Sequence, residues 1–285
     1  LVNMPSIYSS QTTKDLSYRL AHNLECLYTI MPIQEVFEYT VKQIGETPIE
    51  NLKDDSRFNL PVSSFVQENI QARDRSARVL AGTAAAFGGG FTCNANKSEM
   101  TVGYGTLYGD LAGFLAALAD LWKHQVYELA VFLNECIYCR EVIPREIIDL
   151  VPSAELSFEQ DVDQGKGDPL VYPYHDFLFR VFMEQWNRST PEEILTWYCA
   201  GCLEEKIGCR IGLVKQLFPG PVEFIEDLER WWKLYRGMGV AKRIQAPPVL
   251  AVSRRAYGLN CREAQNLVHF TADYLKLKKE ICGFI

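Results

Sequence analysis

The first 45 residues alternate between short apolar runs and longer stretches with helical periodicity. The predicted elements are, in order, the end of a buried strand at residues 1–4, a helix capped by Thr12 or Thr13 that runs to Leu24, a strand at residues 26–31 and a helix at residues 33–45. Strand–helix–strand–helix order places successive strands side by side and parallel. This alternation of strands and helices therefore predicts an α/β fold with a parallel sheet flanked by helices.

The composition suits a chain that builds its own hydrophobic core. Of the 285 residues 48% are hydrophobic, and the net charge is -7. A negative chain is poorly suited to coating nucleic acid or an anionic membrane. No apolar run is long enough to span a bilayer, and the first residues lack the basic and apolar regions of a signal peptide. We expect a cytoplasmic protein in which local cations or a metal meet any anionic ligand.

Three glycines, at positions 88–90, follow a predicted helix at residues 64–87. A phosphate-binding glycine loop follows a strand and opens a helix, whereas these glycines end a helix and lead into a short strand at residues 91–93. We interpret them as a helix C-cap and a turn. The polar residues 94–99 come next, at the carboxyl end of that strand, which is where open α/β sheets bind ligands.

The rest of the chain predicts helices interrupted by two irregular segments. An amphipathic helix is expected at residues 121–134 and a helix start at Thr190–Pro191. Residues 157–173 are polar and contain glycine, and loops of this length and type usually form lids or are disordered. Residues 241–248 break the helical pattern and predict an arm that carries two cations, Lys242 and Arg243.

Nine cysteines include two pairs with metal-like spacing, Cys136/Cys139 and Cys199/Cys202. In a zinc ribbon the two pairs lie about 15 to 20 residues apart, whereas 60 positions separate Cys139 from Cys199. Each pair also lies in an apolar, helix-like stretch. We therefore expect reduced and mostly buried thiols rather than zinc ligands or disulfides.

Polar residues and glycines recur together in three segments, at residues 68–75, 96–110 and 152–156. Each has an ordinary structural explanation when it is taken alone. Arg73 and Arg75 suit a solvated helix face, Glu99 suits the first turn of a helix, where an acid interacts with the helix dipole, and Ser153 suits a cap. The three segments gain a functional meaning only when they are taken together.

In their order along the chain, the motifs ENIQARDR, NKSEMTVGYGTLYGD, KHQVY and PSAEL resemble the amide-forming domain of NAD synthetases. The opening MPSIYSS and the late AKRIQAPPVLAVSRRAYG resemble the same domain in the glutamine-dependent enzymes. The resemblance covers essentially the whole chain. It implies an α/β fold of the adenine-nucleotide α-hydrolase (ATP pyrophosphatase) type and a homo-oligomer, a dimer or larger. We expect one ligase domain over residues 1–285, with a nucleotide-binding core at 1–156, a lid-like loop at 157–173 and a helical part at 174–285.

The activity that the resemblance implies is the amidation of deamido-NAD, with ammonia that is free or comes from glutamine. A carboxylate is a poor acyl donor, so it first attacks the α-phosphorus of ATP, and AMP leaves when ammonia attacks the resulting adenylate. Two polyanions must therefore meet in a chain of net charge -7. Mg²⁺ and a few cationic side chains have to neutralise their phosphates.

The resemblance also implies roles for individual residues, while it assigns no catalytic acid or base. The implied roles are a magnesium ligand for Glu99, ATP binding for Asn94, Lys123 and Ser153, and deamido-NAD binding for Arg73, Asp110 and Lys242. Asn94-Ala95 stands where many members have Thr-Gly, and Ala241 stands where the short members have His. Leu107 replaces a lysine of the short form, so that contact is not expected.

The largest departure concerns the pyrophosphate loop of the family, a Ser-Gly-Gly-x-Asp-Ser sequence that should precede Leu1. The glutaminase domain is also absent from the 285 residues. Either these residues form the C-terminal portion of a longer protein, or the sequence omits residues of the molecule; alone they are not expected to make NAD at a useful rate. Two alternatives stay open: another ATP-pyrophosphatase amidotransferase, and a catalytically silent fragment that binds nucleotide or dimerises.

Overall fold

The structure, a computed structural model, describes residues 1–184, 188–258 and 268–283. Its strands are β1 (Val2–Asn3), β2 (Thr29–Ile30), β3 (Ile49–Asn51), β4 (Ser56–Phe58), β5 (Thr92–Cys93) and β6 (Leu115–Ala116). They form three two-stranded sheets, β1–β2, β3–β4 and β5–β6. The first pair is parallel and the second antiparallel.

α-Helices make up about half of the described chain. They are α1 (Gln11–Asn23), α2 (Gln34–Glu46), α3 (Ser64–Arg73), α4 (Ala81–Phe87), α5 (Lys97–Val102), α6 (Lys123–Phe132), α7 (Arg145–Asp149), α8 (Tyr172–Met183), α9 (Pro191–Cys199), α10 (Leu203–Ile207), α11 (Leu213–Leu217), α12 (Pro221–Arg236), α13 (Met238–Gln245) and α14 (Ala272–Cys282). The chain divides into two compact units. The first contains residues 1–92, 106–114 and 127–169, and the second contains residues 93–105, 115–126 and 170–285.

The first unit has the strand–helix order that the sequence predicts. In its parallel pair Val2 lies opposite Thr29 and Asn3 opposite Ile30. The first strand is not buried as expected, since Leu1 is 56% exposed. Helix α1 begins slightly earlier than predicted because Ser10 caps it, its hydroxyl accepting a hydrogen bond from the Thr13 N–H.

The predicted helix at residues 64–87 is present, but its central part is π-helical rather than α-helical. Helices α3 and α4 are joined by a π-helical segment, Asp74–Leu80, a form often found at functional sites. Gly88 ends the helix in the left-handed conformation with φ +73°, and its N–H donates to Ala84 and Ala85. The interpretation of the glycines as a C-cap is therefore confirmed.

Residues 157–169, the part of the predicted lid that belongs to the first unit, fold back on the segment that precedes them. Two short 3₁₀ turns, Phe158–Gln160 and Val162–Gln164, interrupt this loop. The Asp168 N–H donates to the Pro152 carbonyl at 2.8 Å. A Cβ built on Gly167 would lie 2.5 Å from the same carbonyl oxygen, so only glycine fits there.

In the second unit, α8 forms the centre of the core. Nine of its twelve residues are buried, among them Phe179 and Phe182. Trp231 and Tyr235 of α12 contact these two rings, with centroid distances of 5.7 Å for Phe179–Trp231 and 5.4 Å for Phe182–Tyr235. The described residues of the second unit after residue 173 are mainly helical, as predicted.

Residues 241–245 are helical, so the arm predicted at 241–248 is wrong over that range. They belong to α13, and Arg243 is buried, with its guanidinium donating to the carbonyls of Met100, Thr101 and Tyr235. The helix ends at Gln245, because Ala246 directly precedes Pro247 and the residue before a proline disfavours the helical conformation. Both cations are held by backbone carbonyls around the end of α5, and Arg243 also by the Tyr235 carbonyl of α12.

Two glycines bring α5 and α13 very close together. Gly103 ends α5 with φ +66°. A Cβ built on Gly103 would lie 2.8 Å from the Gly239 Cα, and one built on Gly239 would lie 2.5 Å from the Leu234 carbonyl oxygen. No side chain fits at either position without movement of a helix.

The expectation of buried cysteine pairs is wrong. Cys136, Cys139 and Cys199 are exposed and Cys202 is half-buried. The first pair follows α6, which ends in a π-helical turn at Leu133–Ile137, and neither segment has a buried residue. Helical periodicity identifies an apolar face, but it does not tell whether another element covers that face.

Candidate functional site

The NKSE motif forms the start of α5 through a reciprocal pair of hydrogen bonds. The Glu99 N–H donates to Asn96 Oδ1 at 3.1 Å, and the Asn96 N–H donates to Glu99 Oε2 at 3.0 Å. This capping box satisfies two N–H groups that a helix start would otherwise leave without partners. It also fixes the orientation of the Glu99 carboxylate.

The other carboxylate oxygen of Glu99 meets two further side chains of the second unit. The Tyr172 hydroxyl donates to Oε1 at 3.3 Å, and the Lys123 ammonium lies 3.8 Å from Oε1. Lys123 also lies 5.2 Å from the centre of the Tyr172 ring. About one fifth of the side-chain surface of Lys123 and of Glu99 is exposed. The structure thus brings together the residues predicted to bind ATP phosphate and magnesium.

A buried carboxylate that the sequence interpretation missed lies next to this pair. Asp176 is 0% exposed in α8, and it accepts hydrogen bonds from the Ser98 hydroxyl, the His124 N–H and the His124 ring. Ser98 Oγ in turn accepts the Lys123 N–H at 3.1 Å. A lone carboxylate within the apolar stretch YPYHDFLFRVFM was the available signal, because buried charges are almost always paired.

Lys97 forms a second buried polar cluster in the same unit. Its ammonium donates to Asp120 at 2.8 Å, to Glu184 at 2.7 Å and to Ser253 at 3.2 Å. Burial raises the pKa of Asp120, but hydrogen bonds from Lys97 and from the N–H groups of Ser253 and Val252 outweigh it, so the pKa lies below its usual value. The cluster ties the start of α5 to residues 252–253.

The remaining predicted residues of the second unit lie at either end of α5. Asn94 is exposed, directly after β5. Lys242 donates from its ammonium to the carbonyls of Gly103, at 2.7 Å, and of Gly105. A cation at the end of a helix is favourable, because the helix dipole leaves partial negative charge there.

In the first unit, Arg73 and Asp110 lie at one tight turn. The Arg73 guanidinium donates to the Leu107 carbonyl at 3.1 Å, and Asp110 accepts the Thr106 N–H at 2.6 Å. Gly109 packs against Ala72, where an added Cβ would lie 3.1 Å from backbone and side chain. Both predicted deamido-NAD residues of this unit are therefore exposed side chains on a fixed backbone.

Ser153 is half-buried, and its hydroxyl faces the following loop. Oγ donates to the Gln160 carbonyl at 2.5 Å and accepts the Glu155 N–H at 3.2 Å. Glu155 adopts a left-handed conformation with φ 46°. Its buried carboxylate accepts from the Ser10 N–H and the Thr13 hydroxyl, at the start of α1.

Arg75, which taken alone suits a solvated helix face, is half-buried in the first unit, so that interpretation is wrong for it. Its guanidinium donates to the Met4 carbonyl at 3.1 Å, next to β1. Burial lowers the pKa of Arg75 to about 10, while the carboxylates of Asp74, Glu155 and Asp110 act in the opposite direction. A cation thus stands close to the carboxyl end of the first strand.

The seven predicted residues fall into two groups. Arg73, Asp110 and Ser153 belong to the first unit, and Asn94, Glu99, Lys123 and Lys242 belong to the second. Among the residues that the structure describes, no three His, Cys, Asp or Glu side chains are grouped so that they could hold a metal ion by themselves.

Comparison with known proteins decides the family. The sequence model described as NAD synthase matches residues 1–198. The chain belongs to the NAD synthase family.

The curated glutamine-dependent relatives that this chain matches are much longer than the chain itself. A glutamine-dependent NAD(+) synthetase of Xylella fastidiosa is 32% identical over 257 residues, which are 90% of this chain and 39% of the relative. One of Thermotoga maritima is 36% identical over 193 residues, which are 68% of this chain and 31% of the relative. The chain spans less than two fifths of the length of these curated relatives.

A solved structure extends the likeness to the fold. The crystal structure of a glutamine-dependent NAD(+) synthetase from Cytophaga hutchinsonii superposes with a TM-score of 0.62 at 17% identity, over 98% of this chain and 40% of that one. The α/β fold of the adenine-nucleotide α-hydrolase type, predicted from the motifs, is confirmed. None of the described helices has the length and apolar character needed to cross a membrane.

Proposed function

We propose that the complete protein that contains this chain converts deamido-NAD to NAD, with ATP consumed to AMP and pyrophosphate and with ammonia that is free or released from glutamine. The family match supports this ligase reaction over that of another ATP-pyrophosphatase amidotransferase. The observation that carries the proposal is the Lys123–Glu99 pair, a cation and a carboxylate at the starts of two helices.

The residues around Glu99 fit a magnesium ion that is bound mainly to ATP. Mg²⁺ prefers carboxylate oxygens and commonly takes one or two of them, with phosphate oxygens and water as its other ligands. Glu99 offers one partly exposed carboxylate, and the described residues contain no group of three or more His, Cys, Asp or Glu side chains placed to hold a metal ion. Bound there, magnesium would neutralise phosphate charge. Lys123 would donate to a phosphate oxygen and keep the nucleotide in register with the carboxylate that attacks it.

The other predicted residues complete the proposal. Asn94 and Ser153 bind ATP, and Arg73, Asp110 and Lys242 bind deamido-NAD. Among these, the Arg73 guanidinium is already held by the Leu107 carbonyl and the Asp110 carboxylate by the Thr106 N–H, which reduces the entropy lost when a ligand binds. The protein is proposed to act in the cytoplasm as a homo-oligomer, a dimer or larger.

An assay of the complete protein with ATP, Mg²⁺, deamido-NAD and ammonium tests this function. NAD, AMP and pyrophosphate should appear in equal amounts, and none should form when deamido-NAD is omitted. Lys123→Ala should lower the rate at least tenfold because it weakens the use of ATP. Lys215→Ala, which changes a lysine of α11, should not lower the rate. Consumption of ATP with a different acceptor, but not with deamido-NAD, would support another amidotransferase.

A further inference from the structure

The start of α6, which carries Lys123, is held by two other helices. We propose that Asp176 is a positioning residue of the ATP site, because its carboxylate, directly and through Ser98, fixes the first backbone N–H groups of α6. Lys123 is thereby kept next to Glu99. This inference rests on the proposed function, to which it adds a residue that touches neither substrate.

The cap at the start of α6 comes from other helices. Helix starts leave N–H groups without partners, and the side chain just before the helix usually accepts one of them. At α6 the acceptors come from far away in the sequence. Ser98 Oγ of α5 accepts the Lys123 N–H at 3.1 Å, and Asp176 Oδ2 of α8 accepts the His124 N–H at 3.0 Å.

A single carboxylate, that of Asp176, accepts one of these N–H groups and also binds the Ser98 hydroxyl that accepts the other. Asp176 accepts the Ser98 hydroxyl on Oδ1, and on Oδ2 it accepts the His124 ring nitrogen at 2.8 Å as well as the His124 N–H. Three helices therefore meet at a fully buried side chain. Only a carboxylate accepts all of these bonds, since the amide of asparagine has one accepting oxygen and a nitrogen that donates.

This network acts on Lys123 and Glu99. Ser98 directly precedes Glu99, and the N–H bound to the Ser98 hydroxyl is that of Lys123 itself. The network thus joins the backbones of the two residues whose side chains lie 3.8 Å apart. Because a shift of about 1 Å at a reacting centre can reduce a rate about a hundredfold, loss of this link should impair the ATP half of the reaction.

The test compares Asp176→Asn with Asp227→Asn in the complete protein. Asp227 is a good control because it also accepts from a histidine, His175 at 3.1 Å, and from the Trp231 indole at 2.8 Å, but it bonds to neither α5 nor α6. Asp176→Asn should lower kcat/KM for MgATP about tenfold or more and leave the KM for deamido-NAD within about twofold. Asp227→Asn should change neither.

A double-mutant cycle with Lys123→Ala separates positioning from general destabilisation. If Asp176 acts through Lys123, Asp176→Asn should reduce the rate by less than about twofold when Lys123 is already alanine. Independent losses that multiply would overturn the proposal. Should Asp176→Asn fail to fold, Ser98→Ala takes its place, with Ser98→Thr expected to restore the rate because it keeps the hydroxyl.

Backbone amide exchange provides a readout that does not depend on activity. The Lys123 and His124 amides should exchange faster in Asp176→Asn than in the unmodified protein, while amides of α12 do not change. Unchanged exchange at both amides would overturn the positioning role even if catalysis fell. If the unmodified protein amidates no deamido-NAD but exchange responds as expected, the proposed function fails, and the role of Asp176 in holding α6 stands.

Discussion

Lys123 Nζ lies 3.8 Å from Glu99 Oε1, although the two residues come from the starts of different helices. Their charges balance each other, and both side chains reach solvent. A magnesium–nucleotide complex brings the opposite charges, a cation for the carboxylate and phosphates for the ammonium. The two side chains are therefore suited to exchange each other for the complex, with Glu99 binding the cation and Lys123 binding the phosphates.

The charge of Glu99 should matter more than its role in the helix start. Glu99→Gln keeps the capping box, because glutamine also serves at that position, but it removes the negative charge proposed to bind magnesium. We expect kcat to fall about a hundredfold and the Mg²⁺ concentration for half-maximal rate to rise. Rates measured over a magnesium titration check this. An unchanged titration curve would show that Glu99 is not the ligand.

Arg73 should distinguish the two substrates. Arg73→Ala is expected to weaken deamido-NAD binding about tenfold, the size of one lost charge-assisted hydrogen bond, and to leave ATP binding nearly unchanged. Calorimetric titration with each ligand measures both. Arg78→Ala is the control, since Arg78 pairs with Asp74 at 2.6 Å one turn away. Equal weakening of both ligands by Arg73→Ala would indicate a structural role for α3.

Asp120 should contribute strongly to stability. Asp120→Asn leaves the buried Lys97 ammonium with less negative charge around it, and loss of one partner of a buried pair costs about 3 to 5 kcal/mol. Urea unfolding at pH 7 measures the change in the free energy of unfolding. A loss below about 1 kcal/mol would mean that Glu184 alone balances the charge of Lys97.

The same carboxylate predicts a pH dependence. The pKa of Asp120 is lower in the folded protein than its usual value, so its contribution to stability is fully present above about pH 4. That contribution is lost as the pH falls through the lowered pKa. Between pH 4 and pH 2 the unmodified protein should therefore lose more unfolding free energy than Asp120→Asn. Parallel losses in the two proteins would contradict this assignment.

Thiol labelling should follow the observed exposure of the cysteines. At pH 7 a maleimide should modify Cys136 and Cys139 in the folded protein, while Cys93 and Cys209 should react only after denaturation. Burial raises the pKa of Cys209 to about 11, which further suppresses its thiolate. Mass spectrometry of the labelled peptides decides the order. Protection of Cys136 and Cys139 together with bound zinc would show that the pair holds a metal.

Elements with local signals were predictable from the sequence. Thr190 and Pro191 start α9 as expected, with a capping box at Thr190, and Gly88 ends α4. In each case the residues that decide the conformation lie within a few positions of one another. Motif order added the family and its fold, because it combines signals from the whole chain.

Features that depend on distant partners were not predictable in this way. Arg243 is part of a helix and buried because it reaches carbonyls at the end of α5, more than 140 positions earlier. Asp176 is paired with residues 52 and 78 positions away. The exposure of Cys136 likewise depends on which element covers α6. Sequence periodicity gives no information about these contacts between distant residues.

The close approach of Gly103 to Gly239 limits how this protein can be made more heat-resistant. Replacing glycine with alanine often stabilises a protein, because the unfolded chain then has fewer conformations to lose. Gly82, in α4 with open space around it, is a suitable position for that change. At Gly103 or Gly239 the added methyl group would push α13 from α5 and draw Lys242 away from the carbonyls it binds. Engineering for temperature must therefore keep both glycines.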